Sequence, residues 1–202
     1  MKMEDRVYKT LVENELISRG DTVIVGASGG PDSQFLIHIL NQFKDNLGFD
    51  LVLAHLNHLH RKEAGLDEDL VRSTAERLGL KFYSRSKSMD EYARKLKTSA
   101  EDAGRRLRYE FFEDLAQKFP SSKIAVAHNM DDQAETVLMR IIRGTGLDGL
   151  RAMDYKNGKL IRPILNIKKS EILSYLDEKG IAYAIDSTNF ENDYTRNKLR
   201  LD

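Results

Sequence analysis

The feature that most restricts this chain is an apolar run that empties into a pair of glycines. Thr22-Val-Ile-Val-Gly26 has no polar face, as expected of a strand buried on both sides of a sheet, and it leads into Gly26-Ala-Ser-Gly-Gly-Pro-Asp-Ser33. Two adjacent glycines let the backbone turn tightly and bring its amides close to an anion. Pro31 suits a first helical turn, where its missing donor costs nothing, and the helix behind it adds a positive dipole end. Ser28 and Ser33 offer hydroxyls to phosphate-like oxygens. Asp32 would be repelled by bare phosphate, which suggests Mg²⁺ bridging the two. The loop lacks the Gly-Lys-Ser/Thr of a Walker A motif and the spacing Gly-x-Gly-x-x-Gly. The competing reading is a plain strand-to-helix turn, but two serines and an aspartate around a glycine pair exceed what a turn requires.

The same alternation of strand and helix continues along the chain. Periodicity predicts helices over residues 2–18, 31–43, 66–78, 131–143 and 167–179, the last capped by Asn166 and stopped by Gly180. Thr98-Ser-Ala-Glu101 reads as a capping box opening a helix that runs to about residue 119. Apolar runs predict strands over 51–56, 81–85 and 124–127, with a last short one over 183–185. Strands alternating with helices give an α/β fold with a mostly parallel sheet, whose ligands sit at the carboxyl ends of the strands. The expected organisation is a core over 1–150 and an extension over 151–202, divided near the glycines of 144–149.

Composition narrows the function classes. Hydrophobic residues at 41% suffice for a core, and no apolar run approaches the roughly 18 residues of a membrane span. The first 18 residues are charged throughout, unlike a signal peptide, so the expected location is cytoplasmic, with no membrane partner. Cysteine is absent, which removes disulfides, thiolate nucleophiles and Cys-ligated metals. Lys plus Arg equals Asp plus Glu at 32 each, so any nucleic-acid surface must be local. Arg94, Lys95, Lys97, Arg105, Arg106 and Arg108 form one basic cluster, and Arg196, Lys198 and Arg200 another. A solvated helix face is the competing reading for both.

Three further blocks follow strands or open helices. Ala54-His-Leu-Asn-His-Leu-His-Arg61 has histidines without a neighbouring carboxylate or cysteine, so His55, Leu56 and Asn57 fit nucleotide contact better than zinc. Ala103-Gly-Arg-Arg-Leu-Arg-Tyr109 puts Arg105 and Arg108 one helical turn apart, with Tyr109 beside Arg105, a pattern suited to phosphate. Ala127-His-Asn-Met-Asp-Asp-Gln-Ala-Glu-Thr136 stacks Asp131 and Glu135 at i, i+4 beside Asp132. Those carboxylates are either dipole complements of a first helical turn or a set for Mg²⁺ or a cationic amine, with His128 at the strand end.

Ser28-Gly-Gly-Pro-Asp-Ser33 resembles the PP-loop of the N-type ATP pyrophosphatases. The order of the later blocks is similar to that in the tRNA(Ile)-lysidine synthases within that superfamily. These blocks include Arg143-Gly-Thr-Gly-Leu-Asp-Gly-Leu150, Arg162-Pro-Ile-Leu165, Asp186-Ser-Thr-Asn189 and Arg196-Asn-Lys-Leu-Arg200. The resemblance spans about residues 20 to 200. Two departures are Gly104, where the family often has alanine, and Asn129, where a second histidine is frequent.

What the resemblance implies is a Rossmann-like, adenine nucleotide alpha hydrolase-like sheet with helices on both faces and a small helical extension. It implies a ligase forming C–N bonds, which uses ATP and Mg²⁺ to join free L-lysine to C2 of the wobble cytidine of tRNA(Ile) with a CAU anticodon. Ala27, Ser28, Gly29, Gly30, Pro31, Asp32, Ser33, His55, Leu56, Asn57 and Arg105 are then the nucleotide contacts. Asp32, His128, Asp131, Asp132 and Arg108 carry the chemistry, and Asp32 and Asp131 hold the metal. Asp132, Glu135, Arg196 and Arg200 contact lysine or tRNA. Typical members continue into domains that grip tRNA, so the resemblance implies a catalytic domain without them, with monomer and homodimer both open. The rival within the superfamily is a tRNA sulfurtransferase; the rival outside it is a non-catalytic module that binds ATP or tRNA.

Overall fold

The structure, a computed structural model, describes residues 2–59, 64–142, 144 and 152–184. Arg61, most of the block 143–150, and the segment bearing Asp186, Arg196 and Arg200 lie outside the described residues. The elements run α1 (Met3–Glu13), β1 (Thr22–Gly26), α2 (Pro31–Leu47), β2 (Asp50–Asn57), α3 (Ala64–Leu78), β3 (Lys81–Ser86), α4 (Met89–Leu96), α5 (Ala100–Ala116), β4 (Ser122–Ala125), α6 (Met130–Ile142), β5 (Lys156–Asn157), β6 (Leu160–Ile161) and α7 (Lys169–Lys179).

The six strands form one sheet in the order β3-β2-β1-β4-β6-β5, parallel except for β5 against β6. Alternation along β1 divides the core between two faces. Val23 and Val25 join Leu11, Phe35, Leu36, Val71 and Ile172 on the side of α1, α2, α3 and α7. Ile24 points the other way, to Leu107, Phe111, Phe112 and Leu115 of α5. Every strand of the buried centre is therefore apolar on both sides, which is why β1 and β2 read as unbroken runs rather than alternating ones.

Several boundaries differ from those expected, each for a local reason. The first helix stops at Glu13, because Asn14 is its C-cap and Glu15 turns into the left-handed region at φ 47°. The cap of α5 is Ser99, whose hydroxyl accepts from the Asp102 amide, not Thr98; both have an acid three residues on. Asn166 does not cap α7, which starts at Lys169, and instead donates to Thr10 Oγ1. Tyr183 and Ala184 form no strand; the Ala184 amide donates to the Gly29 carbonyl at 2.9 Å, so the chain returns to the loop after β1. The apolar positions of α6 predicted a helix correctly but not its burial: Leu138, Ile141 and Ile142 face outward.

Gly26 ends β1 where the ring of Phe112 closes over it. A Cβ there would stand 2.6 and 2.8 Å from two ring carbons. A Gly26→Ala substitution is therefore expected to force the ring aside and cost about 1–3 kcal/mol, read as a lower denaturant midpoint with an unchanged m value. Gly104 answers to a similar contact, since its Cβ would meet the Met89 sulfur at 2.7 Å.

Candidate functional site

The chain leaves β1 toward β2 and β3, then crosses to β4 on the other side, so the strand order reverses between β1 and β4. A crevice at such a point is where open α/β sheets bind ligands. Two loops meet there, residues 27–30 after β1, which run into the first turn of α2, and residues 126–129 after β4.

The first loop is held from beneath. The buried His55 ring places Nδ1 2.8 Å from the Ala27 carbonyl; a carbonyl only accepts, so Nδ1 carries the proton. His55 thus supports the loop from the core side. Leu56 and Asn57 are also buried, and Asn57 donates to Glu68 while accepting from the Leu59 amide. Burial pushes the Glu68 carboxyl up, but hydrogen bonds from Ser84 and Asn57 outweigh it and hold the group below its ordinary value.

Gly29 has φ +88°, a backbone conformation that residues with a Cβ rarely adopt, so glycine alone takes it without strain. Ser28 Oγ accepts from the Gly30 amide at 3.3 Å and donates to Ser33 Oγ at 3.2 Å, which donates in turn to the Gly30 carbonyl at 2.9 Å. Gly30 is the N-cap of α2 and Pro31 its first residue, which leaves the Asp32 and Ser33 amides without intrahelical acceptors.

The second loop brings Asn129 to the centre. Its Oδ1 accepts from the Asp131 and Asp132 amides at 2.9 and 3.1 Å, and its own amide donates to Asp132 Oδ2 at 2.9 Å. Its Nδ2 reaches across to Asp32 Oδ1 at 3.1 Å. An Asn129→Ala change removes a helix cap and this cross-link together, and is expected to cost about 1–2 kcal/mol, read by chemical denaturation.

The other Asp32 oxygen accepts from Lys169 Nζ at 2.6 Å, and the Lys169 amide donates to Asp131 Oδ2 at 2.7 Å. The N-termini of α2, α6 and α7 therefore converge on two carboxylates and one ammonium. Among the described residues, no group of three or more histidines, aspartates or glutamates is arranged to hold a metal ion. Glu135 lies one turn further along α6 and is buried.

A basic and aromatic side faces α5. The Arg105 guanidinium lies 5.5 Å from the centre of the Tyr109 ring, and Arg108 Nη2 is 3.5 Å from His58 Nε2. Arg162, only 7% exposed, donates from Nε to His128 Nδ1 at 3.2 Å and from Nη1 to the Asp154 carbonyl at 2.7 Å. Burial pushes the Arg162 guanidinium below its ordinary pKa, and Tyr109, Arg105 and Asp154 also act on its charge.

Three residues of this arrangement, Lys169, Arg162 and Asn129, were not read as site residues from the sequence, Asn129 standing there only as a departure from the family pattern. Arg162 stood only inside a family motif. Lys169 carried one usable signal, because a cation at the first residue of a helix opposes the dipole and asks for a partner.

The whole chain, residues 1–202, matches the family model described as a PP-loop domain. The tRNA(Ile)-lysidine synthase of Clostridium acetobutylicum is 43% identical over 202 residues, covering 99% of this chain and 44% of that protein. That of Clostridioides difficile is 44% identical over 98% of this chain and 43% of the relative. That of Petrotoga mobilis is 38% identical over 98% of this chain and 63% of the relative. The chain thus spans less than half the length of the two clostridial relatives.

Among solved structures, the U34-tRNA thiolase NcsA from Methanococcus maripaludis, described with its [4Fe-4S] cluster, superimposes with a TM-score of 0.76 at 20% identity, over 97% of this chain and 69% of that one. The NMN synthetase from Francisella tularensis gives 0.62 at 18% identity, over 99% and 82%. Both likenesses show the same α/β architecture. With its loop after β1, its parallel sheet and a match over every residue, the chain belongs to the ATP-binding PP-loop domain family.

Proposed function

We propose that this chain is the catalytic unit of a lysine–tRNA ligase that forms lysidine at the wobble cytidine of tRNA(Ile) with a CAU anticodon. The observation that carries the reading is the 43% identity to a tRNA(Ile)-lysidine synthase across 99% of the chain. In the first step the C2 oxygen of cytidine attacks the α-phosphorus of ATP, the bond to the bridging oxygen breaks, and pyrophosphate leaves with the electron pair. In the second, the neutral ε-amine of lysine attacks C2, and AMP leaves with the former C2 oxygen.

The loop amides and the Ser28 and Ser33 hydroxyls receive the pyrophosphate, while Arg105 and Arg108 meet phosphate charge. Mg²⁺ fits Asp32 without a cage of carboxylates, because this ion is commonly held by one or two carboxylates and substrate phosphates. Bound there it would supply charge stabilisation to the phosphates, with Asp131 as the second carboxylate that would hold it. Lys169, already on Asp32, is a further cation within reach of a phosphate at the loop. Asp132 and Glu135 face the lysine substrate and take its proton.

The segment over 151–202 works with the core of 1–150 as one catalytic unit: β6 extends the main sheet and α7 delivers Lys169. Arg94, Lys95, Lys97 and Arg106 lie exposed on α4, α5 and their junction, suited to a tRNA backbone, with Arg196 and Arg200 adding to that contact. Cysteine is absent from the chain, so a cluster-dependent sulfur transfer has no thiolate to use.

The test is AMP release from Mg-ATP with lysine and tRNA supplied together and singly. Release that needs both is the expected result; release that ignores lysine contradicts the proposal.

A further inference from the structure

We infer that Arg162 holds His128 in its Nε2–H tautomer, so that His128 serves the reaction as a neutral hydrogen-bond donor and not as a general base. The inference rests on the ligase reading for the word reaction, but the tautomer itself rests on geometry alone.

The sheet fixes the pair. β4 and β6 run in register, with Ala125 opposite Ile161, and the Val126 amide donates to the Ile161 carbonyl at 3.1 Å. Arg162 follows β6 by one residue and His128 follows β4 by three. The guanidinium is then pinned on several sides. Its residue is buried, its amide donates to the Tyr155 carbonyl at 2.8 Å, Nη1 donates to the Asp154 carbonyl at 2.7 Å, and Nε donates to His128 Nδ1 at 3.2 Å.

Arginine has five N–H donors and no acceptor. The atom that receives its Nε proton must offer a lone pair, so His128 Nδ1 is bare. In the neutral ring the proton is then on Nε2. A doubly protonated ring would set N–H against N–H across the same 3.2 Å. With Nδ1 occupied and Nε2 protonated, the ring has no vacant lone pair with which to take a proton from the lysine ammonium.

That work falls to the carboxylates of Asp132 and Glu135. What His128 offers is a fixed N–H, the group that stabilises an oxygen gaining negative charge as a bond forms or breaks. Arg162 acts through His128 and is a positioning residue.

The ring is read directly by nitrogen-15 NMR of the full chain labelled at histidine, with His128 assigned by the resonances missing from His128→Gln. A pyridine-like Nδ1 and a pyrrole-like Nε2 are expected, and an Arg162→Met variant should blur that distinction. A pyrrole-like Nδ1 in the parent chain overturns the inference, whether or not Arg162→Met folds. In the lysine-dependent AMP assay, His128→Gln keeps a donor near the Nε2 position and should exceed His128→Ala at least about tenfold, with His128→Ala reduced about 10²-fold from the parent. Equal losses in the two variants overturn the donor role. Absence of lysine-dependent turnover in the parent contradicts the ligase reading and leaves the tautomer to the ring shifts, which need no turnover.

Discussion

Replacing Asp32 by alanine is expected to lower AMP release at least about 10³-fold while the protein stays folded. Asp32 is the only carboxylate among residues 27–33, and it is gripped from both sides, by Asn129 and by Lys169. Without it the loop keeps its serine hydrogen bonds but loses the anchor for a phosphate-bound cation, and Lys169 loses its partner. A metal acting as Lewis acid contributes several kcal/mol to such a step, and each 1.36 kcal/mol is about tenfold in rate. The fold should tolerate the change, because a carboxylate in a first helical turn contributes only about 0.3–1 kcal/mol. Steady-state kinetics with varied Mg-ATP checks this, and a loss of less than about tenfold would remove Asp32 from the centre of the proposed chemistry.

The largest stability effect is expected at Phe112, where Phe112→Ala should cost about 3–5 kcal/mol and lower the melting temperature by about 10 °C. The ring is 1% exposed, closes over Gly26, and contacts Phe111 and Tyr109 with centroids 6.0 and 6.5 Å away. It therefore ties α5, which carries Arg105 and Arg108, to the strand that feeds the phosphate-type loop. Because Gly26 and Phe112 share one contact, their effects should not add. Gly26→Ala is expected to be nearly harmless once Phe112 is alanine, and a double-mutant cycle by denaturation measures that coupling.

The parts of the molecule legible in the sequence were those whose signal is local. The runs at β1 and β2 are apolar on both faces because both faces are covered, and their positions were right within a residue or two. The loop after β1 was legible because glycines, serines and aspartate are consecutive. Short elements with weak burial were not. Helix α4 was not read although Met89, Tyr92, Ala93 and Leu96 recur at helical spacing; it has only eight residues, none of them is fully buried, and only Tyr92 packs against the core. The β5–β6 hairpin has two residues in each arm around Gly158 at φ 60°; Asn157-Gly158 is a usable turn signal, but its arms are too short to show alternation.

The site was half legible for a related reason. Asp32 and the acidic pair of α6 stand just past strand ends, where chemistry is sought first, whereas Asn129 was read only as a departure from the family pattern. Lys169 reaches Asp32 across 137 positions and Arg162 reaches His128 across 34, and no local pattern encodes either meeting. Both arise because β6 and α7 fold back beside β4 and α2. The apolar stripe of α6 is the converse case, in which a clear helical period specified the helix but said nothing of what would cover it.

The central claim is that lysine becomes covalently attached to a cytidine at the expense of ATP. The direct measurement is transfer of radiolabelled lysine to an unmodified tRNA(Ile) transcript with a CAU anticodon, with Mg-ATP and this chain. The account predicts label that stays with the tRNA after denaturation, requires ATP, and disappears when the first anticodon base is changed to uridine. ATP consumption without label on the tRNA, or label that is indifferent to that base, would contradict it.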